Sequence, residues 1–343
     1  SLDIVMGGDS RTNQVWWWEN PAPSFSPNVN WTRRLIKNSG QNKHHDQIFG
    51  DFTGDGKAEL VFWNQFAKKL YLAEIPADPH NAGEWPLTEI YSWSDTPEHE
   101  GLAKEDIDGD GLIDIVGGGR WFKYQGGANF DARIIDDGQR FGRAAAGQLI
   151  PGGYAEVVLG PGDNIGPLEW YRWDSGANRW NSSVLISSVE RGHSLRIVDF
   201  DQDGHLDIFV AEMRLNDGNP DAKMRLLRGD GQGNFSIMEL SSGIGNHESR
   251  VGDLDGDGDI DILGKPYNWE TPRLDIWLSN LAPEPCTPVL NAWQRHVIDA
   301  DQRWTAVFVE ATDLNGDELP DIVAGGDWYE NPGSPSGAWT RRP

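Results

Sequence analysis

The sequence predicts an all-β fold, a seven-bladed β-propeller, and three observations support this. Acid-rich loops recur along the 343 residues, most of them at steps of about 50 to 60 residues. Short runs rich in β-branched and aromatic residues follow each loop, and no stretch shows sustained helical periodicity. A fixed period of this size is typical of repeat arrays and propellers.

Five of the recurring loops carry oxygen-bearing side chains at positions 1, 3, 5 and 9. At this spacing they can surround a calcium ion. We expect Ca²⁺ to have a structural role here, holding the turn between strands one and two of most blades. Thr53 and Glu318 depart from the pattern and predict weaker or different sites. The predicted ligands are Asp51, Thr53, Asp55, Glu59, Asp106, Asp108, Asp110, Asp114, Asp199, Asp201, Asp203, Asp207, Asp253, Asp255, Asp257, Asp261, Asp313, Asn315, Asp317 and Asp321.

The strands follow the loops in a constant order. The second strand is apolar, as in "AELVFW", the third is aromatic, as in "GRWFKY", and the fourth resembles "TRRLIK". The step from Asp106 to Asp199 is nearly double and contains a degenerate copy in which Gln148 replaces the first acid. The first copy lacks its innermost strand. We therefore expect a single propeller domain over residues 1–343 that begins inside a blade, with upstream sequence missing.

Composition excludes several classes of partner. The net charge of −25 argues against nucleic acid and anionic membrane surfaces, which attract Lys and Arg. No apolar run reaches the roughly 18 residues that span a bilayer, so we expect no membrane insertion. The single cysteine, Cys286, excludes an internal disulfide. Calcium is plentiful outside the cytoplasm, and the predicted location is extracytoplasmic or secreted, although no signal-peptide pattern is present.

Four of the eight histidines lie six or seven residues before the first acid of a loop: His45, His99, His193 and His247. His44 leaves the choice between His44 and His45 open. Strand residues rise about 3.3 Å each, so these histidines lie at the end of the innermost strand opposite the loops. Propeller symmetry then directs them to one centre. The pattern predicts a catalytic or transition-metal site, for which Zn²⁺ is suited. Alternatively, each histidine is hydrogen-bonded within its own blade.

The connections between strands two and three belong to the same face, and they are polar and varied. Such a mixture of carboxylate, Arg, Tyr and Trp suits a polyhydroxylated ligand, here a small sugar or glycoside. Trp121 has an alternative role in packing between blades. The candidate ligand-binding residues are Arg120, Trp121, Arg143, Asp163, Asn164, Arg214, Lys265 and Trp269, and the polar face also contains Glu212 and Tyr267.

The acidic repeat resembles the FG-GAP or VCBS class of propeller repeats. "HEGLAKEDIDGDGLIDIVGGGRWFKY", "GPGDNIGPLEWY" and "GHSLRIVDFDQDGHLDIFVAEM" resemble the propeller domain of aldos-2-ulose dehydratases and related keto-sugar lyases. The resemblance implies metal-assisted β-elimination beside a carbonyl group. It implies a His or carboxylate base, from the four histidines or Glu212, and an acid such as Tyr267. The same machinery would suit a 3-keto-glycoside.

Two other functions fit the same scaffold. A lectin or adhesion module would place a similar ligand site in each blade, whereas the polar connections here differ from blade to blade. A polysaccharide lyase would use His and Tyr on a uronate and needs a basic groove, which the net charge of −25 disfavours.

Overall fold

The computed structural model describes residues 2–26, 29–215, 218–267, 273–279, 293–303, 306, 308–334 and 337–343. Within these residues the chain forms 27 strands in seven consecutive antiparallel sheets, with one 3₁₀ turn at Asp137–Gln139. The fold is an all-β seven-bladed propeller, which confirms the predicted fold class. The described part of the chain contains no helix long and apolar enough to cross a membrane.

The chain divides into two compact units. The N-terminal unit comprises Asp3–Glu19 and Thr32–Ser188. The C-terminal unit comprises Ser1–Leu2, Asn20–Trp31 and Val189–Pro343. The expectation of a single domain stays a prediction.

The N-terminal unit holds four sheets, and the first has three strands, as predicted for the first copy. That sheet contains β1 (Ile4–Gly7), β2 (Val15–Glu19) and β3 (Thr32–Lys37). The second contains β4 (His44–Gly50), β5 (Glu59–Asn64), β6 (Lys69–Glu74) and β7 (Leu87–Ser92). The third contains β8 (Ala103–Glu105), β9 (Asp114–Gly117), β10 (Arg120–Gly126) and β11 (Asn129–Ile134). The fourth contains β12 (Arg143–Gly147), β13 (Glu156–Gly160), β14 (Ile165–Asp174) and β15 (Arg179–Glu190).

The C-terminal unit holds three four-stranded sheets. The first contains β16 (Gly192–Val198), β17 (Asp207–Glu212), β18 (Lys223–Gly229) and β19 (Phe235–Ser242). The second contains β20 (Glu248–Gly252), β21 (Asp261–Lys265), β22 (Leu274–Ser279) and β23 (Trp293–Asp299). The third contains β24 (Val309–Thr312), β25 (Asp321–Ala324), β26 (Asp327–Glu330) and β27 (Thr340–Arg342).

The second strand of each four-stranded sheet is buried on both faces, which explains its continuous apolar sequence. Every residue of β5, β13 and β17 is buried. Trp121 of β10 is fully buried beside Val157 and Tyr171, and its indole donates to Asp114 Oδ2 over 2.8 Å. Its predicted role in ligand binding is therefore not compatible with its position, because no face of the indole is available to a ligand. Packing, the alternative role, is what the structure shows.

The five acidic loops lie between the first and second strands, as the sequence predicts. Each is shaped by its first acid. Asp199, for example, accepts the backbone N–H groups of Asp203 and Gly204 at 3.1 and 2.9 Å. The sixth residue of the loop has a positive φ, which glycine adopts without strain, and Glu318 adopts the same conformation at φ 72°. The other first acids that accept the N–H of the sixth residue are Asp51, Asp106, Asp253 and Asp313.

The ninth residue of the loop is a buried brace rather than a surface ligand. Asp207 accepts the N–H of Phe200 in the loop and the N–H of Gly229 at the end of the third strand, both at 2.9 Å. Asp261 and Asp321 make the same pair of contacts in their sheets. The spacing of acids in the sequence finds this residue but does not distinguish it from the acids at the loop surface.

The degenerate loop is closed without acids at its surface. Gln148 replaces the first acid, and its Nε2 donates to the carbonyl oxygens of Ile150, Gly152 and Tyr154 at 2.6, 3.3 and 3.5 Å. The brace is retained, because Glu156 accepts the Ile150 N–H at 3.1 Å. This turn is therefore held by a side-chain amide, and we expect it to need no ion.

Two asparagines, in the sequences "WWWENP" and "DWYENP", hold backbone carbonyl groups, among them those of acidic loops. Asn331 Nδ2 donates to the carbonyl oxygens of Leu254 and Pro320, both at 2.9 Å. Asn20 Nδ2 donates to the carbonyl oxygens of Leu2 and Leu314, also at 2.9 Å. Both asparagines are 6% exposed.

We expect Asn331→Ala to lower the free energy of unfolding by about 2 kcal/mol, because it leaves buried carbonyl groups without donors. Chemical denaturation measures this change. Asn234→Ala, which removes an exposed side chain bonded to Asp230, is the matched control and should change stability by less than about 1 kcal/mol. Equal effects of the two substitutions would contradict the role of Asn331.

Candidate functional site

The choice between His44 and His45 is decided by their surroundings at the start of β4. His44 Nδ1 lies 2.9 Å from the carbonyl oxygen of Gly8, and its Nε2 lies 3.3 Å from Asn64 Nδ2. Burial lowers the pKa of His44 to about 4. His44 is therefore a neutral histidine bonded within the fold. His45 instead faces carboxylates: its Nδ1 lies 2.9 Å from Asp46 Oδ2 and its Nε2 lies 3.5 Å from Glu100 Oε1.

A β-bulge places Asp46 beside His45. The pairing of β4 with β5 shifts between His45 and Gln47, and Asp46 has a φ of 43°. A bulge redirects a side chain, and a non-glycine residue in this conformation is strained. The Asp46 carboxylate accepts the Gly101 N–H at 2.8 Å and pairs with Arg143 Nη1 at 2.7 Å. These contacts hold the carboxylate against the imidazole.

His45, Asp46, Glu100 and Arg143 form an acid–base cluster within the N-terminal unit. Burial opposes protonation of His45, but the charges of Glu100 and Asp46 outweigh it and raise the pKa of His45 to about 9. Burial also raises the pKa of Glu100, which is 2% exposed and accepts from Gln65 Nε2 at 3.0 Å. The positive charges of His45 and Arg143 balance the negative charges of Asp46 and Glu100. The cluster can therefore hold a proton between the imidazole and a carboxylate.

His99 has a packing position. It is fully buried, and its ring stacks on Trp93 with centroids 4.1 Å apart and planes 11° apart. Trp63 meets the ring edge-on at 5.6 Å, and neither ring nitrogen of His99 has a hydrogen-bond partner. The structure does not bring His99 to the acid–base cluster, although Glu100 follows it in the chain. The position of His99 is that of a buried, stacked ring, which fits neither the predicted catalytic or metal role nor the alternative of a hydrogen bond within its own blade.

Burial, followed by the charges of Arg120 and Arg140, lowers the pKa of His99 to about 3 from 6.5. The unfolded chain therefore binds more protons between these values, and stability should fall as pH falls through this window. We expect His99→Phe to reduce the loss of stability between pH 7 and pH 5 by about 2 kcal/mol, at about 1.4 kcal/mol per pH unit. Urea unfolding at the two pH values measures it. His80→Phe is the control: its imidazole lies 3.2 Å from Glu19 at an exposed position, where an ion pair contributes little, and it should change the pH dependence by less than about 1 kcal/mol.

A second group of side chains meets within the C-terminal unit. His193 lies at a shift in the pairing of β16 with β17, where Arg191 has a φ of 54°. His193 Nδ1 lies 2.9 Å from the backbone carbonyl oxygen of His247, and the two imidazoles stack with centroids 4.0 Å apart. One ligand atom each from His193, His247 and Glu248 lies within 4.8 Å of the others. We name these three residues the imidazole cluster.

The imidazole cluster is buried and held by charged neighbours. His193, His247 and Glu248 are 1%, 7% and 1% exposed. Glu248 Oε1 pairs with Arg196 Nη2 at 2.6 Å and also contacts Arg250. The Tyr267 ring stacks on His247 with centroids 5.0 Å apart.

The imidazole cluster fits a transition metal. Metal-binding histidines commonly have one ring nitrogen bonded to a backbone carbonyl oxygen, which fixes the tautomer and directs the other nitrogen to the ion. His193 Nδ1 has such a contact. Two imidazoles and one carboxylate are a donor set that Zn²⁺ and similar ions accept. Of the four predicted histidines, the structure therefore brings two together in this unit.

The acidic loops also fit a cation. Asp108 Oδ1, Asp201 Oδ1 and Asp255 Oδ1 are buried oxygen atoms without a hydrogen-bond partner. Ligand atoms of Asp106, Asp108 and Asp110 converge within 4.8 Å, as do those of Asp199, Asp201 and Asp203. Carboxylate oxygens in this arrangement suit Ca²⁺.

Several other predicted residues have structural partners. Glu212 accepts from Arg225 Nη1 and Asn219 Nδ2 at 3.0 and 3.3 Å and from two backbone N–H groups, so its carboxylate braces the end of β17. Arg120 pairs with Asp137 at 2.9 Å. These contacts favour a structural role for Glu212 over the predicted role as a base.

The remaining predicted residues differ in burial and in their partners. Asp163 and Asn164 are exposed, and Arg214 Nη1 donates to the carbonyl oxygen of Gly243 at 3.1 Å. Lys265 is fully buried. Trp269 lies outside the described residues. Asp46 and Glu248 directly follow predicted histidines and mark an acidic surrounding in the sequence. The sequence does not give them a role, because it does not reveal the bulge that turns Asp46 or the register that places Glu248 beside His193.

Residues 153–210 match the family model described as an FG-GAP-like repeat. The FG-GAP-like repeat begins in the degenerate loop and ends within β17, so it includes His193 and the acidic loop 199–207. The more specific resemblance to aldos-2-ulose dehydratases stays a prediction.

Comparisons with curated proteins and with solved structures do not extend the family match. No curated protein matches the sequence significantly. The crystal structure of the V. cholerae biofilm matrix protein Bap1 is similar with a TM-score of 0.40 and 10% identity, covering 98% of this chain and 78% of that chain. A similarity this low gives no information about function.

Proposed function

We propose that the protein is a carbohydrate-active carbon–oxygen lyase that acts on a keto-sugar or 3-keto-glycoside by metal-assisted β-elimination. The observation that supports this most is the convergence of His193, His247 and Glu248, whose ligand atoms lie within 4.8 Å of one another. The reaction is assigned to this imidazole cluster in the C-terminal unit.

His193, His247 and Glu248 would hold the ion, for which Zn²⁺ is the first candidate. When bound, such an ion supplies a Lewis acid that polarises a carbonyl group and acidifies the neighbouring C–H. β-Elimination also requires removal of the proton from that carbon, cleavage of the C–O bond and delivery of a proton to the departing oxygen. Tyr267, stacked at 5.0 Å on His247, is the candidate proton donor to the departing oxygen. The two imidazoles would be used by the ion, whereas Glu248 can bind through one carboxylate oxygen, so its other oxygen is the candidate base.

The proposal is tested by incubating the purified protein with a keto-sugar and its 3-keto-glycoside counterpart. We expect loss of water or of the glycoside, with growth of the ultraviolet absorbance of a conjugated enone. A chelator selective for transition metals should stop the reaction while calcium remains in the buffer. Sugar binding without turnover would favour the lectin alternative instead, and turnover that survives chelation would favour a metal-free lyase.

The acid–base cluster of the N-terminal unit supports a second candidate, a metal-free elimination. His45 lies 3.5 Å from Glu100, and both groups have raised pKa values at a buried position. A protonated imidazole and a carboxylate in contact can donate and accept a proton in one elimination. Activity that is lost in His45→Gln but insensitive to chelation would support this candidate over the imidazole cluster.

We further propose that the acidic loops bind structural Ca²⁺ and that the protein works outside the cytoplasm, where calcium is plentiful. The loops differ in one respect. Lys123 Nζ contacts Asp108 and lies 3.3 Å from Asp110, and Arg228 contacts Asp201 and Asp203. The residue equivalent to Arg228 in the sheet that follows is Leu278, which brings no charge to the loop 253–261.

Because a resident side-chain cation competes with the ion, we expect Lys123→Met and Arg228→Met each to raise the Ca²⁺ affinity of one loop by roughly tenfold. Calorimetric titration of Ca²⁺ into chelator-treated protein measures the affinities. Leu278→Met is the control and should leave the titration unchanged. A titration that none of the three substitutions alters would contradict the assignment of Lys123 and Arg228 as competitors.

A further inference from the structure

A cationic side chain is buried directly beside the imidazole cluster. Lys265 ends β21 opposite Glu248 of β20, and its carbonyl oxygen accepts the His247 N–H at 2.9 Å. Lys265 is fully buried, and its Nζ donates to the carbonyl oxygen of Pro266 at 2.7 Å. Within the described residues it has no ion pair with a carboxylate.

Two arginines share the carboxylate of Asp275, which lies opposite Gly264, the neighbour of Lys265 in β21. Arg273 Nε donates to Asp275 Oδ2 at 2.8 Å, and Arg295 Nε donates to the same oxygen atom at 2.6 Å. Arg273 is 8% exposed, and its Nη2 is buried without a hydrogen-bond partner. Three cationic groups, with Lys265, therefore surround one anionic group.

The excess of positive charge affects the Arg273 side chain. Burial lowers the pKa of Arg273, and the charges of Arg295 and Arg214 act in the same direction against the attraction of Asp275. An excess of buried positive charge is unfavourable unless an anion compensates it. The protein as a whole has a net charge of −25, so this local excess of positive charge is unusual and indicates a bound anion.

The donors suit an oxyanion. A guanidinium presents its N–H groups in a planar fork that matches a carboxylate, and the Nη2 of Arg273 is the side of that fork that remains unused. The Lys265 ammonium is fully buried and would add positive charge to the subsite without contacting the ligand. A neutral sugar hydroxyl would leave the excess charge uncompensated.

We propose that Arg273 and Lys265 form an oxyanion-binding subsite beside the imidazole cluster and that its ligand is a sugar bearing a carboxylate. That this ligand is a substrate rests on the proposed function. The expected binding of an acidic sugar does not depend on that function. The proposal narrows the substrate class from keto-sugars in general to acidic ones. Lys265 was predicted as a ligand-binding residue from the sequence, but Arg273 was not.

The test compares the binding of D-glucuronate, D-glucose and inorganic sulfate to the full chain by calorimetry. We expect wild-type protein to bind glucuronate at least about tenfold more tightly than glucose, as a charge-assisted contact requires. Arg273→Lys, which keeps the charge but loses the fork, and Lys265→Met should each reduce that preference by roughly tenfold. Arg341→Met, which removes an exposed arginine of the same unit, is the matched control and should leave it unchanged.

Each outcome decides the proposal. Equal binding of glucuronate and glucose by wild-type protein overturns it, and this comparison needs no variant to fold. Sulfate that binds as tightly as glucuronate overturns the acidic-sugar assignment, because the subsite then takes any anion. Binding is measured on chelator-treated protein, in which no turnover takes place. The binding result is therefore independent of the lyase activity. Elimination from neutral keto-sugars without glucuronate binding would leave the proposed function intact and remove this inference alone.

Discussion

The variant His193→Ala/His247→Ala is expected to lose about one equivalent of transition metal and to lower the rate of elimination roughly a thousand-fold or more. The two imidazoles are two of the three donors that converge in the C-terminal unit, and Glu248 alone cannot retain the ion. A Lewis acid contributes several kcal/mol to stabilising the charge that develops on a carbonyl oxygen, and about 4 kcal/mol corresponds to this rate difference.

Metal content is measured by inductively coupled plasma mass spectrometry on the purified protein, and the rate by enone formation. His296→Ala, in the outer strand β23 of the same unit, is the matched control and should retain both metal and rate. Calcium content should be unchanged in all variants, because the acidic loops do not include these histidines. Wild-type protein that carries calcium alone, with a content that the double substitution does not alter, would remove the metal-assisted mechanism and leave the acid–base cluster as the candidate.

Asp207→Ala is expected to lower the free energy of unfolding by about 4 kcal/mol in calcium-free buffer. Asp207 is fully buried, and its two oxygens accept the N–H groups of Phe200 and Gly229. Alanine leaves both N–H groups without an acceptor, and each unsatisfied group costs about 1 to 3 kcal/mol. Asp207→Asn retains one acceptor oxygen and should lose about half as much.

Denaturation in urea measures these free energies of unfolding. A chelator keeps the buffer free of calcium, so loss of an ion does not contribute to the differences. Asp230→Ala is the control for removing an aspartate that bonds backbone N–H groups at an exposed turn, and it should cost less than about 1 kcal/mol. If Asp207→Ala matched this control, the ninth loop residue would be a surface ligand and not a brace. The same substitution at Asp261, which makes equivalent contacts, should reproduce the larger effect.

The sequence also predicted which end of a strand carries which group. The acids follow the first strand in each of the five loops, and the histidines precede or begin that strand, as His45 lies at the start of β4 and Asp51 follows it. This succeeded because the period of the repeat and the rise of a strand are both local properties. The pairing of a loop acid with a particular N–H group, as for Asp207 with Gly229, depends on the third strand and could not be predicted.

The four histidines that occupy equivalent positions in the sequence have different surroundings in the structure. His99 is packed against Trp93, His45 faces Asp46 and Glu100, and His193 stacks on His247. Two shifts in strand pairing, at Asp46 and His193, contribute to this difference. A bulge changes the direction of a side chain without changing the spacing in the sequence. Histidines at equivalent sequence positions therefore have rings with different surroundings.

By itself the sequence determined the all-β propeller fold, the number of repeats, the positions of the acidic loops and the set of histidines in which to search, since each follows from periodicity and residue type. Only the tertiary structure decided that His44 and His99 are structural and that His193 meets His247 and Glu248. It also decided that Arg273 shares Asp275 with Arg295 beside Lys265. These outcomes depend on strand register, burial and the charges of residues distant in the chain, which no local pattern encodes.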